Sequence, residues 1–290
     1  NGFDDRMHVF LKNTEKEILE YSMKDNQGFC FDRSENYCNF NQNAEKSIIL
    51  IGDSHSEVLS DNLYKKIKTK NINFTSINRG SCIFLPNVKK IYSTNKKEFE
   101  NCTLKSKNLI DEIILKKKQP IIILAGNYYE HFYKNKRWNY VNKSKLNPLD
   151  AFINSVNDLL KNDNRVLLVY PIPTPGFHVT KRLMQDVPKS TFNATEYLLK
   201  NPLTFDITDY YLKNSKTITA FDGLNHKNLI KIFPENIFCN TNTMQCNVHK
   251  GSEIYFRVDQ HLAIRGAELL NEKLLLVFFK QTLALSSFSS

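Results

Sequence analysis

The segment "KSIILIGDSHSEVLSDNL", from Lys46 to Leu63, decides the fold of this chain. Four consecutive apolar residues, 48–51, run into Gly-Asp-Ser-His, and an amphipathic stretch follows. An apolar run that stops at a glycine and is followed by helical periodicity predicts a buried strand and then a helix. Ser54 therefore stands where a helix begins, either as the residue that caps the helix or as a nucleophile.

Apolar runs and helical patterns alternate along the rest of the chain, which indicates an α/β fold. The predicted strands are "SIILI" (47–51), "NFTSI" (73–77), "PIIILAG" (120–126), "RVLLVYP" (165–171) and "TITAF" (217–221). Helical patterns lie at about 55–68, 104–118, 148–161, 189–200 and 263–275. Apolar strands without alternation are typical of a parallel sheet covered on both faces, so we predict a three-layer α/β/α sandwich over residues 46–290. Residues 1–45 are polar, with one predicted helix near Asn13 to Ser22, and are interpreted as a lead-in segment.

The composition of the 290 residues limits the classes of protein to consider. Hydrophobic residues make up 41% of the chain, which is enough for a packed core. The net charge of +10 comes mostly from scattered lysines, as in "VKKIYSTNKK", and indicates either a solvated surface or attraction to anionic glycans or lipid headgroups. No basic motif with interleaved aromatics predicts a nucleic-acid partner, and no apolar run approaches the roughly 18 to 20 residues of a membrane helix.

The six cysteines form three local pairs, namely Cys30 with Cys38, Cys82 with Cys102, and Cys239 with Cys246. Each pair brackets a short polar segment, where a disulfide would fasten an irregular loop. Free thiols and zinc binding are the competing interpretations, but no pair has the two-residue spacing of a Cys-x-x-Cys knuckle. We predict three disulfides and no metal, and therefore an oxidising compartment such as a periplasm or a cell exterior.

Polar residues follow the predicted strands at the edge where a parallel sheet binds ligands. Ser54 follows the first strand, Gly80 the second and Asn127 the third, and "DQHL" places Asp259 and His261 in a loop before the last helix. A nucleophilic serine needs a base, and the base needs an orienting acid, which His261 and Asp259 could supply. The N–H groups of Ser54 and Gly80 and the Asn127 amide would bind an oxyanion if the three turns converge.

Each of these residues also has an ordinary structural explanation. A serine after a strand is more often a helix cap than a nucleophile. Asp53 is predicted to fix the turn through hydrogen bonds to the backbone. Four histidines have no evident partner and are interpreted as structural, namely His55, His131, His178 and His226. The order and placement of the whole set, rather than any one residue, favour an active site.

The segment "ILIGDSHSEVL", with Gly80, "AGN" at 125–127 and "DQHL…GA" at 259–267, resembles the SGNH/GDSL hydrolase superfamily. Three features are more specific: "GDSH", the ending "HLAIRGAELL", and cysteine pairs before the first block, after the second and before the last. With them the chain resembles the SGNH domain fused behind membrane acyltransferase-3 proteins, which O-acetylate bacterial lipopolysaccharide O-antigens and other surface glycans. The opening "NGFDDR" is similar to the stretch that follows the last membrane helix of these fusions.

The resemblance implies a flavodoxin-like sheet, with Ser54 as the nucleophile, His261 as the base, and Ser54, Gly80 and Asn127 as the oxyanion hole. Residues 46–290 would then be the catalytic domain, behind a lead-in from a membrane domain.

The last block departs from the family pattern. That pattern is Asp-x-x-His, but the residue three before His261 is Val258, and the acid is Asp259. Either the loop bends so that Asp259 reaches His261, which we favour, or a backbone carbonyl orients the imidazole of a Ser–His dyad.

The leading hypothesis is an O-acetyltransferase domain on the periplasmic face of the inner membrane. It would move acetyl through an acetyl-Ser54 intermediate to a hydroxyl of a surface polysaccharide. No cofactor is expected in this domain, since the N-terminal membrane domain would deliver the acetyl group, ultimately from acetyl-CoA.

One alternative is a glycan O-acetylesterase. Another is a catalytically weak module that positions the glycan, which the shifted Asp259 keeps open.

Overall fold

The computed structural model describes residues 23–33, 37–99, 102, 114, 119–133, 137–188, 191, 193–258 and 260–286, with side chains as far as 279. Its strands are β1 (Lys24–Asp25), β2 (Gly28–Phe29), β3 (Cys38–Phe40), β4 (Lys46–Gly52), β5 (Ile72–Asn78), β6 (Lys89–Tyr92), β7 (Ile121–Ala125), β8 (Trp138–Val141), β9 (Arg165–Val169), β10 (Thr204–Asp206), β11 (Leu229–Ile232), β12 (Cys239–Asn240), β13 (Gln245–Asn247), β14 (His249–Lys250) and β15 (Glu253–Ile254). Its helices are α1 (Ser54–Ile67), α2 (Tyr128–Phe132), α3 (Pro148–Lys161), α4 (Val179–Asp186), α5 (Ala194–Lys200), α6 (Thr208–Asp222), α7 (Glu235–Phe238) and α8 (Ile264–Ser286).

The central sheet has six strands in the order β11-β9-β7-β4-β5-β3. Neighbouring strands are parallel except β3 and β5, which pair antiparallel. Counted along the chain, the parallel strands lie in the order 2-1-3-4-5, which is the flavodoxin-like arrangement. The predicted parallel sheet is confirmed, with one antiparallel strand added at its edge.

Both faces of the sheet are covered by helices. In β4, Ile48 and Leu50 belong to a core that also contains residues of α1 and α8, while Ile49 and Ile51 belong to a second core with residues of α3 and α6. All four side chains are buried. Burial on both faces explains why β4 is a continuous apolar run instead of an alternating one, and it gives the predicted three layers.

The predicted strand at 217–221 is wrong, because "TITAF" lies at the C-terminal end of α6. The buried residues of α6 recur at helical spacing, and they are Tyr210, Asn214, Thr217 and Phe221. Threonine and isoleucine favour strands, but packing of this one face against the core overrides that preference. The last parallel strand is instead β11, "LIKI", which pairs with β9.

The helix predictions have different outcomes. α1 and α3 agree with the predicted helices at 55–68 and 148–161, while α8 extends beyond the predicted end at 275. α5 begins at Ala194, later than the predicted 189. The predicted helix near Asn13 to Ser22 lies outside the described residues, as does the one at 104–118 apart from residue 114. Within the predicted lead-in segment, Cys38–Phe40 forms β3 of the central sheet, and the domain boundary at residue 46 stays a prediction.

Disulfides join the three predicted pairs, Cys30–Cys38, Cys82–Cys102 and Cys239–Cys246. The first connects the β1–β2 hairpin to β3, the second closes the segment that contains β6, and the third links β12 to β13. The disulfide prediction is confirmed. Among the residues that the structure describes, no helix combines the length and the apolarity that crossing a membrane requires.

Candidate active site

The carboxyl ends of β4 and β7 lie side by side where the strand order reverses. Gly52, the last residue of β4, pairs with Ala125, the last residue of β7. A Cβ at position 52 would lie 1.9 Å from the Ala125 carbonyl oxygen and 2.5 Å from the Ser56 Cβ. Only glycine therefore lets the two strand ends lie this close, at the edge where open parallel sheets bind ligands.

Asp53, and not Ser54, caps the helix that follows β4. The Asp53 carboxylate accepts a hydrogen bond from the His55 N–H at 2.8 Å, and the Asp53 carbonyl accepts from the Ser56 and Glu57 N–H groups. Ser54 is the first residue of α1, so its hydroxyl is not needed for capping. The helix-cap explanation of Ser54 is wrong, and the predicted turn-fixing role of Asp53 is confirmed.

Ser54 and His261 are hydrogen-bonded, with 2.8 Å between Ser54 Oγ and His261 Nε2. Packing of α8 on α1 brings these residues together, and the Asn271 amide of α8 donates to the Leu59 carbonyl of α1 at 3.0 Å. The loop before α8 is closed by a 2.9 Å hydrogen bond from the Arg257 N–H to the His261 carbonyl. The imidazole is thus held beside the serine hydroxyl at the N-terminus of α1.

The surroundings of His261 favour its uncharged form. Burial and, to a smaller extent, the nearby His55 and Arg257 together lower the pKa of His261 to about 4, while Asp53 opposes them. The ring centroids of His55 and His261 are 4.7 Å apart. At neutral pH the His261 Nε2 can therefore accept the proton of the Ser54 hydroxyl.

Asn127 lines the same cavity as Ser54 and His261. Its backbone N–H donates to the Asp53 carboxylate at 2.9 Å, and its side-chain Nδ2 donates to Gln260 Oε1 at 3.1 Å. Residues of the first, third and last sequence blocks therefore line one cavity. Because an amide nitrogen carries two hydrogens, Asn127 Nδ2 has a second hydrogen to offer a ligand.

The structure does not show the predicted roles of the other two site residues, Gly80 and Asp259. The Gly80 N–H donates to the Asp32 carboxylate at 2.7 Å, so an anionic oxygen of the chain itself already binds this donor. The next residue, Ser81, lines the cavity. Asp259 lies outside the described residues, and its role as the orienting acid stays a prediction.

The cavity in front of Ser54 has a volume of about 520 Å³. Besides the serine and the histidine, its wall includes Glu130, Arg137 and Trp138. This volume lies in the range of small-molecule sites, and the lining mixes an aromatic ring with polar groups.

A second histidine, His131, pairs with Asp53, a partner that the sequence does not reveal. Both residues also belong to the cavity wall, although their side chains are at most 3% exposed. Asp53 Oδ2 lies 3.1 Å from His131 Nε2, and His131 Nδ1 lies 2.6 Å from the Tyr140 hydroxyl. Burial lowers the pKa of His131, while Asp53 opposes this change. Burial raises the pKa of Asp53, but the hydrogen bond with His131, the electrostatic influence of the nearby His55 and His131 imidazoles and the Asn127 N–H outweigh burial and hold it below its usual range. The spacing of His131, four residues after Asn127 on a short helix, is the signal that points back to the strand end.

The described residues contain one group of acid and cysteine side chains close enough to share a metal ion, formed by Asp25, Cys30 and Cys38. Its two sulfurs are joined in a disulfide, so the group has no thiolate to offer. The geometry around Ser54 instead has the donor and acceptor groups of acyl chemistry.

Residues 21–275 match the family model described as "SGNH domain (fused to AT3 domains)". Among solved structures, the chain is similar to the periplasmic domain of the lipopolysaccharide acetyltransferase of Salmonella ser. Paratyphi A, with a TM-score of 0.56 and 17% identity over 93% of this chain and 97% of that chain. Lower similarity is found to an acetyl xylan esterase (TM-score 0.43, 14% identity, 80% and 98% of the two chains) and to a GDSL-like lipase of Bacteroides thetaiotaomicron (0.41, 11%, 95% and 99%). No curated protein matches the sequence.

The matched region spans most of the chain and includes the strand end with Ser54, the third strand with Asn127 and the loop with His261. The overall fold agrees with that of the Salmonella periplasmic domain along nearly the full length of both chains. The chain therefore belongs to the family of SGNH domains that are fused to AT3 domains.

Proposed function

We propose that this chain is the periplasmic O-acetyltransferase domain of a membrane-bound enzyme, which acetylates a hydroxyl of a bacterial surface polysaccharide. The observation that carries the proposal is the 2.8 Å hydrogen bond between Ser54 Oγ and His261 Nε2 beside an open cavity. A serine at a helix N-terminus next to an uncharged histidine is the arrangement that acyl transfer through a covalent intermediate requires.

In the first half-reaction, Ser54 Oγ attacks the carbonyl carbon of the donor acetyl group while His261 Nε2 takes the hydroxyl proton. The carbonyl oxygen becomes an oxyanion, which the Ser54 N–H and Asn127 Nδ2 stabilise at the N-terminus of α1. When the intermediate collapses, the donor's leaving group departs with the proton from His261. This step leaves acetyl-Ser54 and an uncharged imidazole.

Two further groups complete the proposed first step. Asp259 would accept a hydrogen bond from His261 Nδ1 and so hold the tautomer whose Nε2 is a base. The Gly80 N–H would be a third oxyanion donor once its hydrogen bond to the Asp32 carboxylate is exchanged for one to the substrate. That this N–H binds a carboxylate oxygen supports its ability to bind negative charge.

In the second half-reaction, a sugar hydroxyl gives its proton to His261 and attacks the acetyl carbon. As the intermediate collapses, the Ser54 oxygen leaves with that proton from His261, which regenerates the free serine and the uncharged imidazole. Water can react with the same acyl-enzyme in the same way, so the esterase alternative uses the same residues. The difference between the two activities is which nucleophile occupies the cavity. The hydrogen-bonded Ser54–His261 pair argues against a module that only positions the glycan.

We infer the donor and the location of the domain from its family. In a fusion with an AT3 domain, the membrane domain would deliver the acetyl group, ultimately from acetyl-CoA, to the periplasmic side. The SGNH domain would then need no cofactor of its own. The disulfides support an oxidising compartment.

The shape of the site supports an extended acceptor. A second cleft of about 240 Å³ adjoins the first, and both are lined by Asn127 and Gln260, whose hydrogen bond lies where the two clefts meet. The wall of the second cleft includes the polar side chains Asp209 and Lys213, which suit the hydroxyls of a neighbouring sugar. A glycan chain could therefore cross both clefts with one unit in front of Ser54.

The test is incubation of the purified domain with p-nitrophenyl acetate and a panel of bacterial surface glycans, followed by mass spectrometry. We expect a gain of one acetyl group on a glycan and, on the protein, an acetyl adduct at Ser54. Release of free acetate with unmodified glycans would favour the esterase.

The variant Ser54→Ala should abolish both the adduct and the transfer, while Ser252→Ala, which changes an exposed serine, should leave them intact. If Ser54→Ala and the parent gave identical traces, both enzymatic functions would fail.

A further inference from the structure

Lys90 is a buried lysine beside the cavity. It lies on β6, which pairs with β8 in a two-stranded antiparallel sheet outside the central sheet, and it is only 1% exposed. The scattered lysines of this stretch predict solvated side chains, and for Lys90 that prediction is wrong. Lysines are almost never fully buried without partners, so the contacts of this ammonium group require an explanation.

Three groups surround the Lys90 ammonium. Nζ donates a hydrogen bond to the Ser81 carbonyl, and it lies 3.5 Å from the centroid of the Trp138 ring and 4.7 Å from that of Phe99. Ser81 and Trp138 both line the cavity in front of Ser54. One buried amine therefore joins two parts of the cavity wall that are far apart in the sequence.

The Ser81 carbonyl belongs to the tight turn after β5. Arg79 and Cys82 pair across this turn, and Ser81 has a left-handed backbone with a φ of 58°. That conformation costs a residue with a side chain about 1 kcal/mol, so a strong hydrogen bond at the turn helps to retain it.

The titratable groups near Lys90 are Asp53, His131 and Tyr140. Burial lowers the pKa of His131 and raises that of Tyr140, so both are uncharged near neutral pH. Asp53 is ionised there, since its pKa lies below its usual range. Burial also lowers the pKa of Lys90 to about 7, although Asp53 opposes this change. The amine therefore gains or loses its proton close to physiological pH.

We propose that Lys90 is a positioning residue whose ammonium group holds the Ser81 turn and the Trp138 ring together as one wall of the acceptor cleft. When the amine is neutral, its cation–π contacts with Trp138 and Phe99 are lost and its hydrogen bond to Ser81 is weaker. The wall then loosens, and the cleft binds its acceptor less well. The effect on the acceptor rests on the proposed function, whereas the coupling of Lys90 to Trp138 does not.

Indole fluorescence tests this coupling without any assay of activity, because Trp138 is the only tryptophan of the chain. In a titration from about pH 6 to about pH 9, the emission of the parent protein should follow one transition with a midpoint near pH 7. The variant Lys90→Arg, which keeps its charge throughout, should lose the transition. Lys90→Met should show the high-pH emission of the parent at every pH.

The matched control is Lys89→Met, which removes an exposed lysine bonded to Glu98 at 2.8 Å and should keep the transition. A transition that persists in Lys90→Arg would overturn the proposal. The responsible group would then be another, such as Glu57, whose pKa burial raises to about 7. Lys90→Arg decides the matter even if Lys90→Met does not fold.

Kinetics test the effect on the acceptor separately. With a glycan that accepts acetyl in the assay above, Lys90→Met should raise the acceptor KM about fivefold, as expected for a lost cation–π contact, and change kcat for p-nitrophenyl acetate hydrolysis by less than about twofold. An equal loss in both would mean a general disturbance and would contradict the positioning role. If no glycan is acetylated, the proposed function fails, and the fluorescence titration still judges the Lys90–Trp138 coupling.

Discussion

Two consecutive residues, Asp53 and Ser54, each bind a histidine, and the two pairs have opposite surroundings. All four residues belong to the cavity wall, but Ser54 and His261 are only partly buried there. The Asp53–His131 pair is buried, with both side chains at most 3% exposed, and continues to the Tyr140 hydroxyl. The partly buried His261 imidazole is open to a substrate, whereas the His131 imidazole is almost fully buried and is held on both ring nitrogens by protein.

The comparison teaches that a hydrogen bond to histidine does not by itself define a catalytic pair. The Asp53 carboxylate also accepts the His55 and Asn127 N–H groups, so it ties the first strand end to the third. Removing it would disturb the framework of the site. His261, in contrast, holds no strand ends together, and its Nε2 is committed only to the serine hydroxyl among the described contacts.

The largest expected effect comes from changing each histidine to glutamine. His261→Gln should lower kcat/KM for p-nitrophenyl acetate by about a thousandfold or more, because no base remains for the serine, and should leave the melting temperature nearly unchanged. His131→Gln should lower the melting temperature and retain activity within about tenfold. Steady-state kinetics and calorimetry on the two variants measure these effects. If His131→Gln lost activity and His261→Gln lost thermal stability, His131 would be the base and His261 the structural histidine.

The next effect concerns the buried carboxylate. Asp53→Asn removes the charge that His131 and two backbone N–H groups share, and it should lower the free energy of unfolding by about 3 kcal/mol. Asp158→Asn, at an exposed residue paired with Lys161, is the matched control and should change stability by less than about 0.5 kcal/mol. Urea unfolding measures both. Equal stability of the two variants would mean that the buried pair is not a structural clamp.

A smaller effect is expected at the orienting acid. Asp259→Asn should lower kcat by about tenfold to a hundredfold, because the His261 tautomer is then held less firmly. Adding Val258→Asp to this variant returns an acid to the spacing that the family uses, and partial recovery of kcat would support the orienting role. Unchanged kinetics in Asp259→Asn would mean that a backbone carbonyl orients the imidazole.

The smallest effect is a difference in acid sensitivity. The pKa values of His131 and His261 are lowered in the folded protein, so the unfolded chain binds more protons below about pH 6.5 and stability falls as the pH decreases. Each glutamine variant should therefore lose about 1 kcal/mol less stability than the parent between about pH 7 and pH 5. Denaturant unfolding at the two pH values measures this. A variant with the parent's pH dependence would show that its histidine is already protonated in the fold.

The strands in the middle of the sheet can be recognised in the sequence, whereas the edge strand β11 cannot. β4 and β7 are buried on both faces, so their apolar runs are unmistakable. β11 lies at the edge, is only partly buried and carries Lys231, so no such run marks it. The helical segment at 217–221 was mistaken for a strand because its β-branched residues hide a helical spacing of buried positions that begins earlier, at Tyr210.

For the site, sequence order was enough to select Ser54, Asn127 and His261, which line one cavity. Burial, however, is not visible in a sequence. His131 and Lys90 were therefore grouped with structural histidines and solvated lysines, although both are almost fully buried beside the site. Their importance depends on contacts between segments that are distant in the chain.

Gly52 has a consequence for comparing relatives of this chain. A methyl group at this position would overlap the Ala125 carbonyl, so any larger residue forces apart the strand ends that carry Ser54 and Asn127. A relative with a larger residue here keeps its serine and histidine but loses the distance between the serine and the asparagine. In genome surveys, the residue before the Asp-Ser pair is therefore a sensitive marker of a degenerate member, and it can be inspected before the serine itself.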